Sequence, residues 1–268
     1  MTTLTHHRLS SRVMNRLLEP TTLEPAVLTD DHRRSLSARF RALGQGEHRY
    51  LDAWTLERAG RLSEPFRWSP AKARRVLGNA ALRRSLAEPE LTRLRAVERE
   101  LEEQLVRYVT GYARPGSLAS YLATCSNAEL GLVRSEAANW ATQLAEVTDV
   151  IALPWEVASS DVYYDVARAR TTLRGRRDVV VTTEPSRALV RVRLGTPGKS
   201  AGPGLRADLT IDALAHAQGV CASRIIGVWP EAGVLLSVEG TMADLRAGAR
   251  DLVRTAVAAR RARVELAA

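Results

Sequence analysis

Leu173-Arg174-Gly175-Arg176-Arg177-Asp178-Val179-Val180-Val181 leads through a turn at Glu184-Pro185-Ser186 into a second apolar-basic run, Leu189-Val190-Arg191-Val192-Arg193-Leu194-Gly195. The pair reads as strand, tight turn, strand. A loop from Thr196 to Gly204 follows, then a helical pattern from Leu205 to Gln218. Beyond it, Arg224 to Trp229 reads as a strand, Pro230 to Gly233 as a turn and Val234 to Val238 as a further strand. A last helix is expected over Met242 to Arg261, with Thr241 as its N-cap.

Working back toward the N-terminus, Val162 to Ala167 and Ile151 to Val157 read as strands, and Ala128 to Val147 as a helix capped by Asn127. Ser117 to Thr124 is a short helix. Upstream of Arg114-Pro115-Gly116 the pattern is helical throughout. Glu88 to Tyr112 is laced with opposite charges at i,i+4. Ser69-Pro70 supplies an N-cap and an N1 proline for Ala71 to Leu86. His48 to Ala59 is a further helical run, and Thr29-Asp30-Asp31 opens a helix through Leu43. The apolar residues of Met1 to Pro20 recur near a 3.6 period, the mark of a short helix packed on the body of the protein. The expected fold is therefore α/β, with an all-helical region over residues 1–115 and a mixed sheet flanked by helices over residues 116–268.

The length of 268 residues allows one large domain or two small ones. The chain has no apolar run near the ~20 residues that cross a bilayer and no secretory signature in its first residues, so a cytoplasmic protein without a membrane partner is expected. Cys125 and Cys221 are isolated, and the five histidines form no ligand cluster, which argues against a zinc enzyme. The formal charge is +9, and Lys72 and Lys199 are the only lysines. Such an arginine-dominated balance favours a polyanion partner, nucleic acid first. Charges spread over solvated helix faces are the plainer alternative.

The order of elements, with these residues, resembles the RecB-like branch of the PD-(D/E)XK nuclease superfamily over roughly residues 128–259. The resemblance rests on Gly175-Arg176-Arg177-Asp178 on the first strand and on Gly195-Thr196-Pro197 after the second. It rests too on Asp208 and Asp212 ahead of Ala213-Leu214-Ala215 on the helix, and on Glu136 upstream. It implies a restriction-endonuclease-like mixed sheet and a magnesium-dependent DNA nuclease. The departure is at the acidic-x-Lys triplet, here Arg191-Val192-Arg193. Such a nuclease needs carboxylates converging on a hard cation. Arg191 puts a positive charge where the cation belongs, and Arg193 stays protonated and cannot act as a base. Asp178 alone is one ligand. Glu136, Asp161, Asp165, Asp208 and Asp212 are the candidates to complete a site. For Asp208 and Asp212 an exposed acidic helix face near Arg206 is the preferred reading.

The leading expectation is a non-catalytic, nuclease-like protein that binds DNA through an arginine-rich face, with no cofactor. Its candidate phosphate contacts are Arg174, Arg176, Arg177, Arg191, Arg193, Lys199 and Arg206, within a basic cluster that also holds Arg168, Arg170 and Arg187. Tyr163 or Tyr164 could stack on a base, with core burial of one of them preferred. The alternatives are an active nuclease with rearranged ligands and Mg2+, or an adaptor subunit of a larger assembly whose arginine face meets an acidic protein; the N-terminal helices could also recruit a protein partner. Thr196 to Ser200 lacks the first glycine of a P-loop, so nucleotide hydrolysis is not expected.

Overall fold

A computed structural model describes residues 5–19, 26–43, 49–52, 68–183, 186–193 and 195–267. In chain order the elements are β1 (Thr5–Arg8), α1 (Ser11–Leu18), α2 (Asp30–Ala42) and β2 (Arg49–Asp52). Four helices follow: α3 (Pro70–Ala87), α4 (Arg93–Val109), α5 (Leu118–Thr124) and α6 (Asn127–Thr148). The rest is β3 (Trp155–Val157), β4 (Val162–Val166), β5 (Thr171–Gly175), β6 (Val179–Thr183), β7 (Ser186–Val192), α7 (Ala201–Ala215), β8 (Arg224–Trp229), β9 (Val234–Glu239) and α8 (Met242–Ala267).

The chain divides into two compact units, Pro65–Asp149 and the flanking Met1–Glu64 with Val150–Ala268. The first is helical. Leu77, Ala81, Val97, Leu122, Val133 and Ala137 are buried in its core, and Trp140 donates its indole N–H to the Asn79 side chain at 2.7 Å. Ser126, not Asn127, caps α6; its hydroxyl accepts from the Glu129 N–H, and the Glu129 carboxylate accepts from the Ser126 N–H at 2.7 Å, a reciprocal capping box.

The second unit is mixed α/β. Its larger sheet has six strands in the order β1-β9-β8-β7-β6-β3, and a smaller sheet runs β2-β5-β4. In the larger sheet only β7 and β8 are parallel, with Leu189 opposite Ile225 and Arg191 opposite Gly227. Parallel neighbours need a crossover, and α7 provides it. This helix packs against α8, β4, β5, β8 and β9, and its residues from Ala207 to Leu214 are all buried. The approach to α8 is close: a Cβ on Gly248 would lie 2.3 Å from the Thr210 hydroxyl and 2.5 Å from the Arg206 carbonyl.

Several expectations are corrected. The region before residue 115 is not all helix. Thr5–Arg8 is a strand that finds its partner in Val234–Ser237, and Arg49–Asp52 is a strand beside Thr171–Arg174; the remainder of the helix expected over His48–Ala59 lies outside the described residues. Because both strands join sheets built from the far end of the chain, the compact units do not divide at residue 115. The expected single strand from Leu173 to Val181 is two strands in two sheets. The chain leaves β5 where the Arg176 N–H turns to the Asp208 carboxylate at 2.8 Å instead of to a strand neighbour. Helix α7 starts at Ala201, four residues ahead of expectation. Pro203 is accommodated because the first helical turn needs no donor from its N–H groups.

Candidate functional site

Asp178 stands just ahead of β6, held by its N–H to the Val190 carbonyl (3.0 Å) and by its own carbonyl, which accepts from the Ala158 N–H at 2.9 Å. Its carboxylate accepts from Arg191 Nη1 at 2.6 Å and from the Val192 N–H at 2.9 Å. The same guanidinium donates through Nε to Asp208 Oδ2 at 3.0 Å. Asp208 takes the Arg176 N–H on its other oxygen. Arg191 thus bridges two carboxylates, one from the start of β6 and one from α7. Exposure is 0% for Asp178 and 2% for both Arg191 and Asp208. Burial pushes the Asp208 carboxyl above the ordinary range, opposed by the Arg191 guanidinium and the Arg176 N–H.

One helical turn on, Asp212 accepts from Arg187 Nη2 at 2.7 Å and from Arg177 Nη1 at 3.4 Å. Arg187 also reaches the Val220 carbonyl at 3.3 Å. The exposed acidic face expected for Asp208 and Asp212 is therefore a buried one. The i,i+4 spacing does bring the two carboxylates onto one side of α7, but that side meets strand arginines instead of water. Arg206, expected beside them, pairs with Asp251 of α8 at 3.3 Å. Three guanidinium groups (Arg177, Arg187, Arg191) thus neutralise three carboxylates (Asp178, Asp208, Asp212).

A hard divalent cation needs six or more oxygen ligands around it. Here the oxygens of Asp178 and Asp208 that converge do so on Arg191, so these residues do not fit a metal. Among the described residues no group of three or more His, Cys, Asp or Glu side chains is placed to hold one. Asp161 pairs with Arg174 Nη2 at 2.6 Å. Asp165 accepts from the Thr172 hydroxyl at 2.5 Å. Glu136 belongs to the helical unit, where it pairs with Arg74 at 2.6 Å.

The basic residues fall into two sets. Arg174, Arg177, Arg191 and Arg206 are each committed to carboxylates. Arg176 is half-buried. Arg193 is also half-buried, with its N–H on the Val228 carbonyl at 2.8 Å. Arg191 in particular is removed from any external phosphate. The second set is exposed: Lys199, just ahead of α7, and Arg168 and Arg170 in the β4–β5 turn. Among the described residues no carboxylate pairs with these three. Arg168 and Arg170 also have positive φ, 59° and 45°, a left-handed backbone that costs a non-glycine residue on the order of 1 kcal/mol. Tyr163 is 53% exposed, and the Arg174 guanidinium lies 6.0 Å from its ring centre. Tyr164 is the half-buried member of the pair. The role of Arg187 as the main partner of Asp212 was not foreseen; it comes from opposite ends of the strand and helix runs, and only the tertiary fold joins them.

No helix among the described residues is long and apolar enough to cross a membrane. No protein-family model matches the chain, and no curated protein matches it either.

Proposed function

We propose that the chain is a non-catalytic, nuclease-like protein that binds nucleic acid through exposed cations, and that Arg191 stands where a nuclease of this resemblance would hold its metal. The observation that carries this reading is the Arg191 guanidinium lodged between Asp178 and Asp208, at 2.6 and 3.0 Å. A charge of +1 satisfies both carboxylates with directed hydrogen bonds. A second cation there would meet it at close range in a buried setting, where repulsion is strong. The chain's formal charge of +9 and the uncommitted cations Arg168, Arg170 and Lys199 support a polyanion as the partner. DNA is the partner we favour.

The test is incubation with end-labelled linear, circular and single-stranded DNA in magnesium or manganese, followed by denaturing and native gels. The expected result is intact substrate, retarded on the native gel at low salt and released as salt rises. Metal-dependent cleavage that disappears in Asp178→Asn would overturn the non-catalytic reading and support a nuclease with rearranged ligands. Intact substrate that is never retarded would remove nucleic acid as the partner and leave an adaptor role.

A further inference from the structure

The β4–β5 hairpin carries a combination found nowhere else among the described residues. At its tip, between Val166 and Thr171, two exposed arginines, Arg168 and Arg170, both hold positive φ, 59° and 45°. A turn that only reverses the chain is best served there by glycine or asparagine. Arginine keeps the strained backbone and adds a cation that no carboxylate among the described residues neutralises. Strain retained at an exposed tip points toward a contact made by the side chain.

Three residues before Val166, the last residue of the edge strand β4, the strand presents Tyr163. It pairs across the ladder with Arg174, whose guanidinium lies 6.0 Å from the ring centre, while 53% of the tyrosine stays exposed. Arg174 is itself anchored on Asp161 at 2.6 Å, and Asp165 is occupied by the Thr172 hydroxyl. The strand flank is thus aromatic, with the Arg174 charge cancelled by Asp161 and one exposed carboxylate, Asp165, left on it, and the positive charge is concentrated at the tip. Flat aromatic surface beside isolated cations fits the two chemistries of an unpaired nucleotide, a π-face and a phosphate. A duplex hides its base faces in the stack and offers the tyrosine nothing.

We infer that the β4–β5 hairpin is a single-stranded nucleic-acid contact, with Tyr163 stacking on a base and Arg168 and Arg170 holding the flanking phosphates. This rests on the nucleic-acid reading above and narrows it to one strand and one hairpin.

The experiment is fluorescence anisotropy with a labelled oligothymidylate of about 15 nucleotides and a labelled duplex of equal length, a span suited to a single groove. Tyr163→Ala is expected to weaken the single strand roughly ten-fold, with Tyr163→Phe restoring it, and to leave the duplex unchanged. Arg168→Gly/Arg170→Gly keeps the turn, since glycine accepts positive φ. It is expected to lower the slope of log affinity against log salt by about 1.4 for the single strand, at ~0.7 for each lost phosphate contact. Wild-type binding that neither variant alters overturns the hairpin assignment and leaves the broader reading standing. Loss of affinity in the arginine variant with no effect of Tyr163→Ala overturns the single-strand inference in favour of a duplex backbone contact. Failure of the wild type to bind either probe at low salt defeats the nucleic-acid reading itself.

Discussion

Arg191 Nη1 lies 2.6 Å from Asp178 Oδ2, and neither residue is more than 2% exposed. Removing one partner of a buried ion pair strands the other charge without water, at a cost of about 3–5 kcal/mol. Arg191→Met is expected to lose that much in urea unfolding. Replacing all three members, as Asp178→Asn/Arg191→Met/Asp208→Asn, is expected to recover more than half of it, because no charge is left stranded and the amide oxygens can still accept the Val192 and Arg176 N–H groups. A triple variant as unstable as the single one would show that shape, not charge, sets the cost.

Deleting the guanidinium also leaves two buried carboxylates facing a gap. Arg191→Ala is expected to gain a divalent-cation dependence that the wild type lacks. Manganese at about 100 times its dissociation constant would restore ~2.7 kcal/mol to the variant. Calorimetry of both proteins with and without manganese checks this. An equal shift in the wild type would place the metal elsewhere.

His216 closes α7, its carbonyl accepting from Arg33 Nη2 at 2.7 Å. Burial, then the Arg187 guanidinium, pushes its pKa below the ordinary 6.5; Asp212 opposes and Arg33 adds to the push. The folded chain therefore binds this proton less readily than the unfolded chain. The contribution is whole above 6.5 and is lost as pH falls through the depressed folded value. Urea midpoints of wild type and His216→Gln, compared at about pH 7.5 and about pH 5.5, should show the larger acid loss in the wild type. Parallel losses would remove His216 as a source.

In the helical unit, a Cβ on Gly78 would lie 2.6 Å from Trp140 Cδ1 and 2.8 Å from the Ala137 carbonyl. Gly78→Ala gains up to ~1 kcal/mol of helix propensity. Overpacking costs about 1–3 kcal/mol and should win, since one obstacle is backbone. Thermal unfolding and tryptophan fluorescence read the loss and the displaced indole. A stabilised variant would mean that α3 and α6 can part at little cost.

The parts of the fold written in local pattern were legible. Within Arg224–Trp229 the residues after Arg224 form an unbroken apolar run, and Thr241 caps α8 by accepting the Asp244 N–H at 3.2 Å. Ser69-Pro70 opens α3 as its residues require. What depended on distant partners was not legible. The strand Thr5–Arg8 has only four residues and is defined by its ladder to β9; in the sequence it merges with the true helical period of Ser11–Leu18. Asp208 and Asp212 share a helix face, as their spacing dictates, but whether that face is wet or dry was decided by Arg191 and Arg187 arriving from β7 and Arg177 from the β5–β6 link. The run from Leu189 to Leu194 placed Arg191 on a strand. It could not say that Arg191 would be sealed from solvent.

The pairing of Thr5–Arg8 with Val234–Ser237 also sets an order of events on the ribosome. Once made, Thr5–Arg8 has no sheet to join until β9 emerges from the exit tunnel, which at ~5–20 residues per second is a wait on the order of 10–50 s. The helical unit, Pro65–Asp149, is contiguous and complete long before that. The helices of that unit can therefore assemble while Thr5–Arg8, made before them, still waits for its partner.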